Sequence, residues 1–157
     1  MIKAIEGILL RKPIRLVSLI LITVILHFSF PRYEIATGSM EPTMPTGSYV
    51  ITFRFAYLFD EPKSGDIVVF KPVEGISKHD WSHRVVSTRG QSVLIVEDKG
   101  RRDTDDKFKD LWAGQEVLIP SGYVYQRGDS DSSFHGFAET NLIKAGVLFH
   151  FLPPWQK

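Results

Sequence analysis

The residues best suited to covalent chemistry surround Ser39, in the segment from Ala36 to Ile51. A serine becomes a useful nucleophile when a base lies within hydrogen-bond reach and donors face the developing oxyanion. Gly38 lets the backbone approach a substrate closely, and Thr37 offers a second hydroxyl two residues before Ser39. The same stretch is also typical of a Gly/Pro-rich turn that leads into a strand. Taken alone, it leaves both interpretations open.

The histidines are the first candidates for a base that could activate Ser39. His83 begins the β-branched run His83–Ser87, so a strand would hold its imidazole rigidly. His79 lies four residues earlier, but this segment does not predict a helix, so we expect no zinc site and no cofactor. The five histidines of the chain are His27, His79, His83, His135 and His150.

The bulk composition limits the possible classes of function. The chain has 157 residues and a formal net charge of +1, which suits one domain with an appendage. This near-neutral balance does not indicate a nucleic-acid partner. The absence of cysteine excludes a disulfide scaffold and a thiolate metal site.

The N-terminal segment predicts a membrane anchor. Residues Leu16–Phe30 carry no formal charge, and the basic residues all precede them, which favours a cytoplasmic N-terminus. We expect a single transmembrane helix within residues 1–32 and an extracytoplasmic domain over residues 33–157. A cleaved signal peptide and a buried core helix are the alternatives, although residues 27–34 are bulky where a cleavage site needs small side chains. The basic residues are Lys3, Arg11, Lys12 and Arg15.

The remainder predicts a mostly β domain, because short β-branched and aromatic runs alternate with Gly, Pro, Asn and Asp. The charged tract Glu97–Asp110 predicts an exposed loop or hairpin tip, and Ser133–Ile143 predicts one short turn of helix. The predicted strands are Tyr49–Phe53, Asp66–Phe70, His83–Ser87, Ser92–Glu97, Glu116–Ile119, Tyr123–Gln126 and Gly146–Phe151.

Four stretches, in order, resemble the conserved boxes of type I signal peptidases, which are membrane-anchored serine proteases. The resemblance implies a β-rich catalytic core behind one membrane helix. It implies removal of signal peptides from exported preproteins at the outer face of the membrane, with the preprotein and the lipid bilayer as partners. The four stretches are GSMEPTMPTGSYV (38–50), SGDIVVF (64–70), SHRVVSTRG (82–90) and YVYQRGDSDSSFHGF (123–137).

The same resemblance assigns roles by position. Ser39 corresponds to the nucleophile, and the Ser39 N–H with the Thr37 hydroxyl corresponds to the oxyanion hole. Met40 corresponds to a residue that lines the substrate groove beside the membrane.

The chain departs from the bacterial pattern at the base, where His83 stands in place of lysine and gives a Ser-His variant. An imidazole has an ordinary pKa of about 6.5 and needs no large shift to accept a proton. A partner usually fixes its second ring nitrogen, and Asp129, Ser130 and Asp131 are the candidates. Lys78, five residues before His83, is the alternative base.

We therefore predict a serine endopeptidase that removes signal peptides. The alternative is a catalytically inactive relative that serves as a binding or scaffold subunit of an export or processing complex. Two departures motivate this alternative: the histidine at the base position, and Ser133 where the family carries arginine. Only about 40 residues separate His83 from Gly128, so the resemblance implies that the extra β domain of larger members is absent or reduced to the charged hairpin.

Overall fold

The computed structural model describes residues 2–72, 77–96 and 100–156, and the side chains from residue 13 to residue 155 within those ranges. The chain begins with helix α1 (Ile2–Ser29). After the helix, Phe30 stacks on Phe53 with ring centroids 5.3 Å apart, which joins the helix end to the sheet. Within the described part of the chain, no helix combines the length and the apolar character needed to cross a lipid bilayer.

The domain that follows is built on antiparallel strands. Within the described ranges, seven strands form one sheet in the order β1-β2-β9-β3-β4-β7-β8, and β5 pairs with β6 in a separate ribbon. The strands are β1 (Arg32–Glu34), β2 (Tyr49–Phe53), β3 (Ile67–Phe70), β4 (Trp81–Ser87), β5 (Ser92–Leu94), β6 (Glu116–Leu118), β7 (Tyr123–Arg127), β8 (His135–Glu139) and β9 (Ile143–Phe151).

Strand β4 lies between β3 and β7 in the sheet, and this placement determines the neighbours of His83. His83 pairs with Val68 of β3, and Val85 pairs with Gln126 of β7. Alternate residues of a strand face the same side, so His83 and Val85 share the buried face of β4. Gln126, opposite Val85, faces the same side.

The apolar residues of the sheet and ribbon form buried clusters. One cluster lies beside His83 and contains Phe70, Val85 and Val124. A second cluster lies between the β5–β6 ribbon and the end of the sheet, where Phe108 stacks on Phe137 with centroids 3.9 Å apart. The ribbon is therefore packed onto the domain and does not project from it.

The predicted mostly β fold is confirmed, and β2 has the predicted bounds. Two details differ. The segment Ser133–Ile143 holds strand β8 as well as a short 3-10 turn at Thr140–Leu142. The charged tract is not simply an exposed loop, because Phe108 anchors it in the core; residues 97–99 of the tract lie outside the described residues.

Candidate active site

Ser39 lies in the 3-10 turn Gly38–Met40, between β1 and β2. Met40 anchors this turn in the core, because its side chain is fully buried among Ile35, Met44 and Val50. The Met44 N–H donates to the Met40 carbonyl at 2.8 Å. The apolar anchor therefore leaves the neighbouring Ser39 half-buried at the surface of the core.

Thr37 precedes the turn in an extended conformation and is exposed. Its hydroxyl makes no capping hydrogen bond to the turn, so it is available to another acceptor. The first N–H groups of a helical turn have no partner within the turn, and the Ser39 N–H is one of them. The Thr37 hydroxyl and the Ser39 N–H are therefore two hydrogen-bond donors within three residues.

His83 lies in the interior of β4 with only 2% of its surface exposed. Aromatic rings enclose it: the Phe70 and Trp81 centroids lie 5.8 Å and 5.5 Å from the imidazole centroid. Burial lowers the pKa of His83 from 6.5 to about 4, against smaller opposing effects of Gln126 and Asp129. The imidazole is therefore neutral at neutral pH, as a general base must be before it accepts a proton.

The second ring nitrogen of His83 contacts Gln126, whose side chain is fully buried on β7. The contact joins His83 Nδ1 to Gln126 Oε1. Sequence reasoning did not select this glutamine. The sequence does contain an indication of its role, because Gln126 follows Val124 on one face of the strand. A polar residue on an otherwise apolar face needs a hydrogen-bond partner in the interior.

A single cleft of about 900 Å³ brings the predicted reactive groups together; Thr37, Ser39, His83 and Ser130 all line it. The 3-10 turn of Ser39 packs directly against β4. Within the described residues, Ser39 Oγ and His83 are not hydrogen-bonded to each other. Catalytic hydrogen bonds are often long or poorly aligned before substrate binds and tighten only in the complex.

The residue in contact with His83 Nδ1 is Gln126 and not one of the three residues considered for this role. Both carboxylate oxygens of Asp129 accept hydrogen bonds from Arg84, at 2.8 Å and 2.7 Å, and this ion pair lowers the pKa of Asp129. Asp131 is exposed and lies outside the cleft lining. Ser130 lines the cleft, and its backbone N–H donates to the Ser39 carbonyl at 3.0 Å.

Two other predicted site residues have clear positions. Met40 does not line the cleft, because its side chain points into the core and supports the turn. Lys78, the alternative base, does line the cleft, but it is exposed to solvent.

The cleft also contains an ion pair between Asp80 and Lys144, with Nζ–Oδ distances of 2.7 Å and 2.8 Å. Two further carboxylates line the cleft, Glu34 and Glu41, and Glu41 Oε1 accepts a hydrogen bond from Thr46 Oγ1 at 3.0 Å. In the part of the chain that the structure describes, no three His, Cys, Asp or Glu side chains are grouped as metal ligands would be. The cleft offers a substrate the Ser39 hydroxyl and the His83 imidazole together with hydrogen-bond donors.

Residues 10–149 match the family model described as signal peptidase, peptidase S26. The chain belongs to this family. It is therefore a peptidase, as the sequence predicted.

Three relatives place the chain within the family. Probable signal peptidase I-1 of Synechocystis sp. is 29% identical over 90% of this chain and 81% of the relative. Mitochondrial ATP-independent inner membrane protease subunit 1b of Arabidopsis thaliana is 30% identical over 73% of this chain and 66% of the relative. Probable thylakoidal processing peptidase 2 of the same plant is 27% identical over 77% of this chain, which spans only 38% of that relative.

Proposed function

We propose that this family member is a serine endopeptidase that removes signal peptides from exported preproteins, with Ser39 as nucleophile and His83 as general base. One observation carries the proposal: Ser39, Thr37 and a buried neutral His83 line the same cleft. The printed names of the relatives, signal peptidases and processing peptidases, support the class of substrate.

In the proposed reaction, Ser39 Oγ attacks the scissile carbonyl while His83 Nε2 takes the hydroxyl proton. The carbonyl oxygen becomes an oxyanion that accepts hydrogen bonds from the Ser39 N–H and the Thr37 hydroxyl. His83 then gives its proton to the leaving amine, which releases the C-terminal product and leaves an ester on Ser39. Water, deprotonated by His83, hydrolyses this ester and restores the serine.

The experiment that tests this activity uses the purified chain and a preprotein substrate. Mass spectrometry of the substrate N-termini should show one new terminus with the wild-type protein and none with Ser39→Ala. Binding of the intact preprotein without any turnover by the wild-type protein, at any pH, would favour the scaffold alternative.

We further propose that the chain works as a single-pass protein of the cell (inner) membrane, with its N-terminus cytoplasmic and residues 33–157 extracytoplasmic. The supporting observation is that the apolar side chains of α1 from Ile14 to Phe28 are largely exposed, most by more than half of their surface. Exposed apolar area on this scale is unfavourable in water.

In a flotation experiment with lipid vesicles, the full chain should float with the vesicles, and a variant with charged residues at Leu19, Ile22 and Leu26 should not. Protease digestion of intact and opened cells then tests which side holds the domain.

A further inference from the structure

We propose that Gln126 is a positioning residue for catalysis: it holds His83 in the tautomer that carries its proton on Nδ1 and leaves Nε2 free to accept the proton of Ser39. The inference rests on the proposed function of His83 as the base. It adds a residue that none of the predicted candidates included, and it gives the site an amide where serine proteases of the Ser-His-Asp type have a carboxylate.

The chemistry of the contact determines which atom carries the proton. Gln126 Oε1 is a carbonyl oxygen and can only accept, so the His83 Nδ1 that contacts it must be the donor. A neutral imidazole has one N–H, and with Nδ1 protonated the lone pair lies on Nε2. The opposite orientation of the amide would place an N–H donor against Nδ1. That orientation would put the imidazole proton on Nε2 and abolish its function as a base.

Among the residues that the structure describes, no charged group replaces Gln126 in this role. The charged residue that influences the pKa of His83 is Asp129, and both of its oxygens are taken by the guanidinium of Arg84. The other close neighbours from β3 and β4, Phe70 and Trp81, are aromatic and present their rings. Gln126 is therefore the residue in contact with Nδ1 that can fix the tautomer.

The strand geometry keeps the pair in register. Val85 and Gln126 are directly opposite across β4 and β7, and His83 lies two residues before Val85 on the same face. Diagonal neighbours of this kind are within reach of a long side chain. Because both side chains are buried in a packed sheet, their rotamers are restricted, and the imidazole is held before substrate arrives.

A buried glutamine is an unfavourable choice for stability alone. Its Nε2 has no hydrogen-bond partner in the described part of the chain, and an unsatisfied buried donor is destabilising. An apolar residue of the same volume would avoid this cost. A specific need for the Oε1 acceptor explains why the amide is there.

An amide and a carboxylate differ in one consequence that can be measured. The amide fixes the tautomer but adds no negative charge, so the pKa of His83 stays low. A carboxylate in the same place would stabilise the imidazolium and raise the pKa of His83. Gln126→Glu should therefore move the acid limb of kcat/KM to higher pH, by roughly one pH unit or more, while the enzyme stays active.

The first measurement needs no substitution at position 126. Nitrogen-15 NMR of the imidazole, recorded on the full chain carrying Ser39→Ala, distinguishes a protonated Nδ1 from a protonated Nε2. We expect the Nδ1–H tautomer, and an Nε2–H tautomer would overturn the inference. This measurement does not depend on turnover, so it stands even if the proposed function fails.

The second measurement uses Gln126→Met, which keeps the side-chain volume and removes the acceptor. We expect kcat to fall roughly ten- to a hundredfold, with a smaller change in KM, and the NMR signal to show a mixture of tautomers. Gln115→Met is the matched control, because Gln115 lies outside the cleft.

A Gln126→Met enzyme with wild-type kcat and an unchanged tautomer would refute the inference, as would an acid limb of kcat/KM that does not move in Gln126→Glu. By contrast, activity that survives in Ser39→Ala or His83→Ala would refute the proposed function itself.

Discussion

Gly128 lies directly against the backbone carbonyl of Ser39, with no room for a side chain between them. A Cβ at Gly128 would overlap this carbonyl oxygen and would lie 2.6 Å from the side-chain atoms of Ser133. Two residues further on, the Ser130 N–H donates to the same Ser39 carbonyl at 3.0 Å. The loop after β7 therefore holds the nucleophile turn by close packing and by one hydrogen bond.

Gly128→Ala should displace Ser39 and lower kcat/KM roughly a hundredfold, because a shift of about 1 Å in a reacting group has an effect of this size. It should also lower stability by about 1 to 3 kcal/mol through overpacking. Gly90→Ala is the control: it strains a glycine with φ +78 that does not line the cleft, so it should reduce stability without this loss of activity. Activity in Gly128→Ala that falls no further than in Gly90→Ala would show that the contact does not position Ser39.

The pH profile of the wild-type enzyme should have its acid limb close to pH 4 and not close to 6.5. Burial lowers the pKa of His83 to about 4, and only the neutral imidazole accepts the proton of Ser39. Measured kcat/KM should be flat from neutral pH to about 5 and fall below it. An acid limb at pH 6.5 or above would contradict a buried, neutral His83 as the base.

The same pKa predicts how stability changes with pH. In the unfolded chain His83 has its ordinary pKa of 6.5, whereas in the fold it is about 4. Between these values the unfolded state binds more protons, so stability is complete above pH 6.5 and decreases as the pH falls towards 4. The loss attributable to His83 is roughly 3 kcal/mol. Urea unfolding of the wild type and of His83→Gln between pH 4 and 6.5 gives the free energy of unfolding of each protein, and the difference between the two pH dependences is the contribution of His83. Equal pH dependences would contradict the effect of burial on the pKa of His83.

The Arg84–Asp129 pair should stabilise the loop after β7 and should not determine the tautomer of His83. Asp129→Asn removes the charge from a pair whose Arg84 side chain is 34% exposed, so we expect a loss of about 1 kcal/mol in stability. A double-mutant cycle with Arg84→Ala gives the coupling energy of the pair. The imidazole NMR of Asp129→Asn should keep the Nδ1–H tautomer, whereas a switch to Nε2–H would identify Asp129 as the orienting residue.

Much of the fold followed from strand periodicity. The runs that became β2, β3, β4 and β7 have strong β-branched or aromatic character, and their bounds differ from the prediction by at most two residues. Strand β8 was not predicted because His135–Glu139 contains glycine and has no alternating pattern. Its pairing with β7 and the packing of Phe137 on Phe108 stabilise it, and these are tertiary contacts that local sequence does not report.

Local motifs selected residues that line the cleft, but they could not reveal contacts that the sheet makes between distant residues. Ser39, Thr37 and His83 were selected from local motifs and resemblance, and one cleft contains all three. Gln126 was missed because its role depends on the register between β4 and β7. Gln126 and His83 are 43 residues apart along the chain, so no local motif contains both. Asp129 looked suitable as a partner of His83, but the planar guanidinium of Arg84 offers a carboxylate two parallel hydrogen bonds, and Asp129 makes both.

The most direct test of the central claim compares cleavage rates of one preprotein by four purified proteins: wild type, Ser39→Ala, His83→Ala and Lys78→Ala. If Ser39 and His83 form the reactive pair, cleavage by Ser39→Ala and His83→Ala should fall to background, while Lys78→Ala should remain within a few fold of wild type. Circular dichroism should first show that all four are folded. Cleavage that persists in His83→Ala but is lost in Lys78→Ala would contradict the claim.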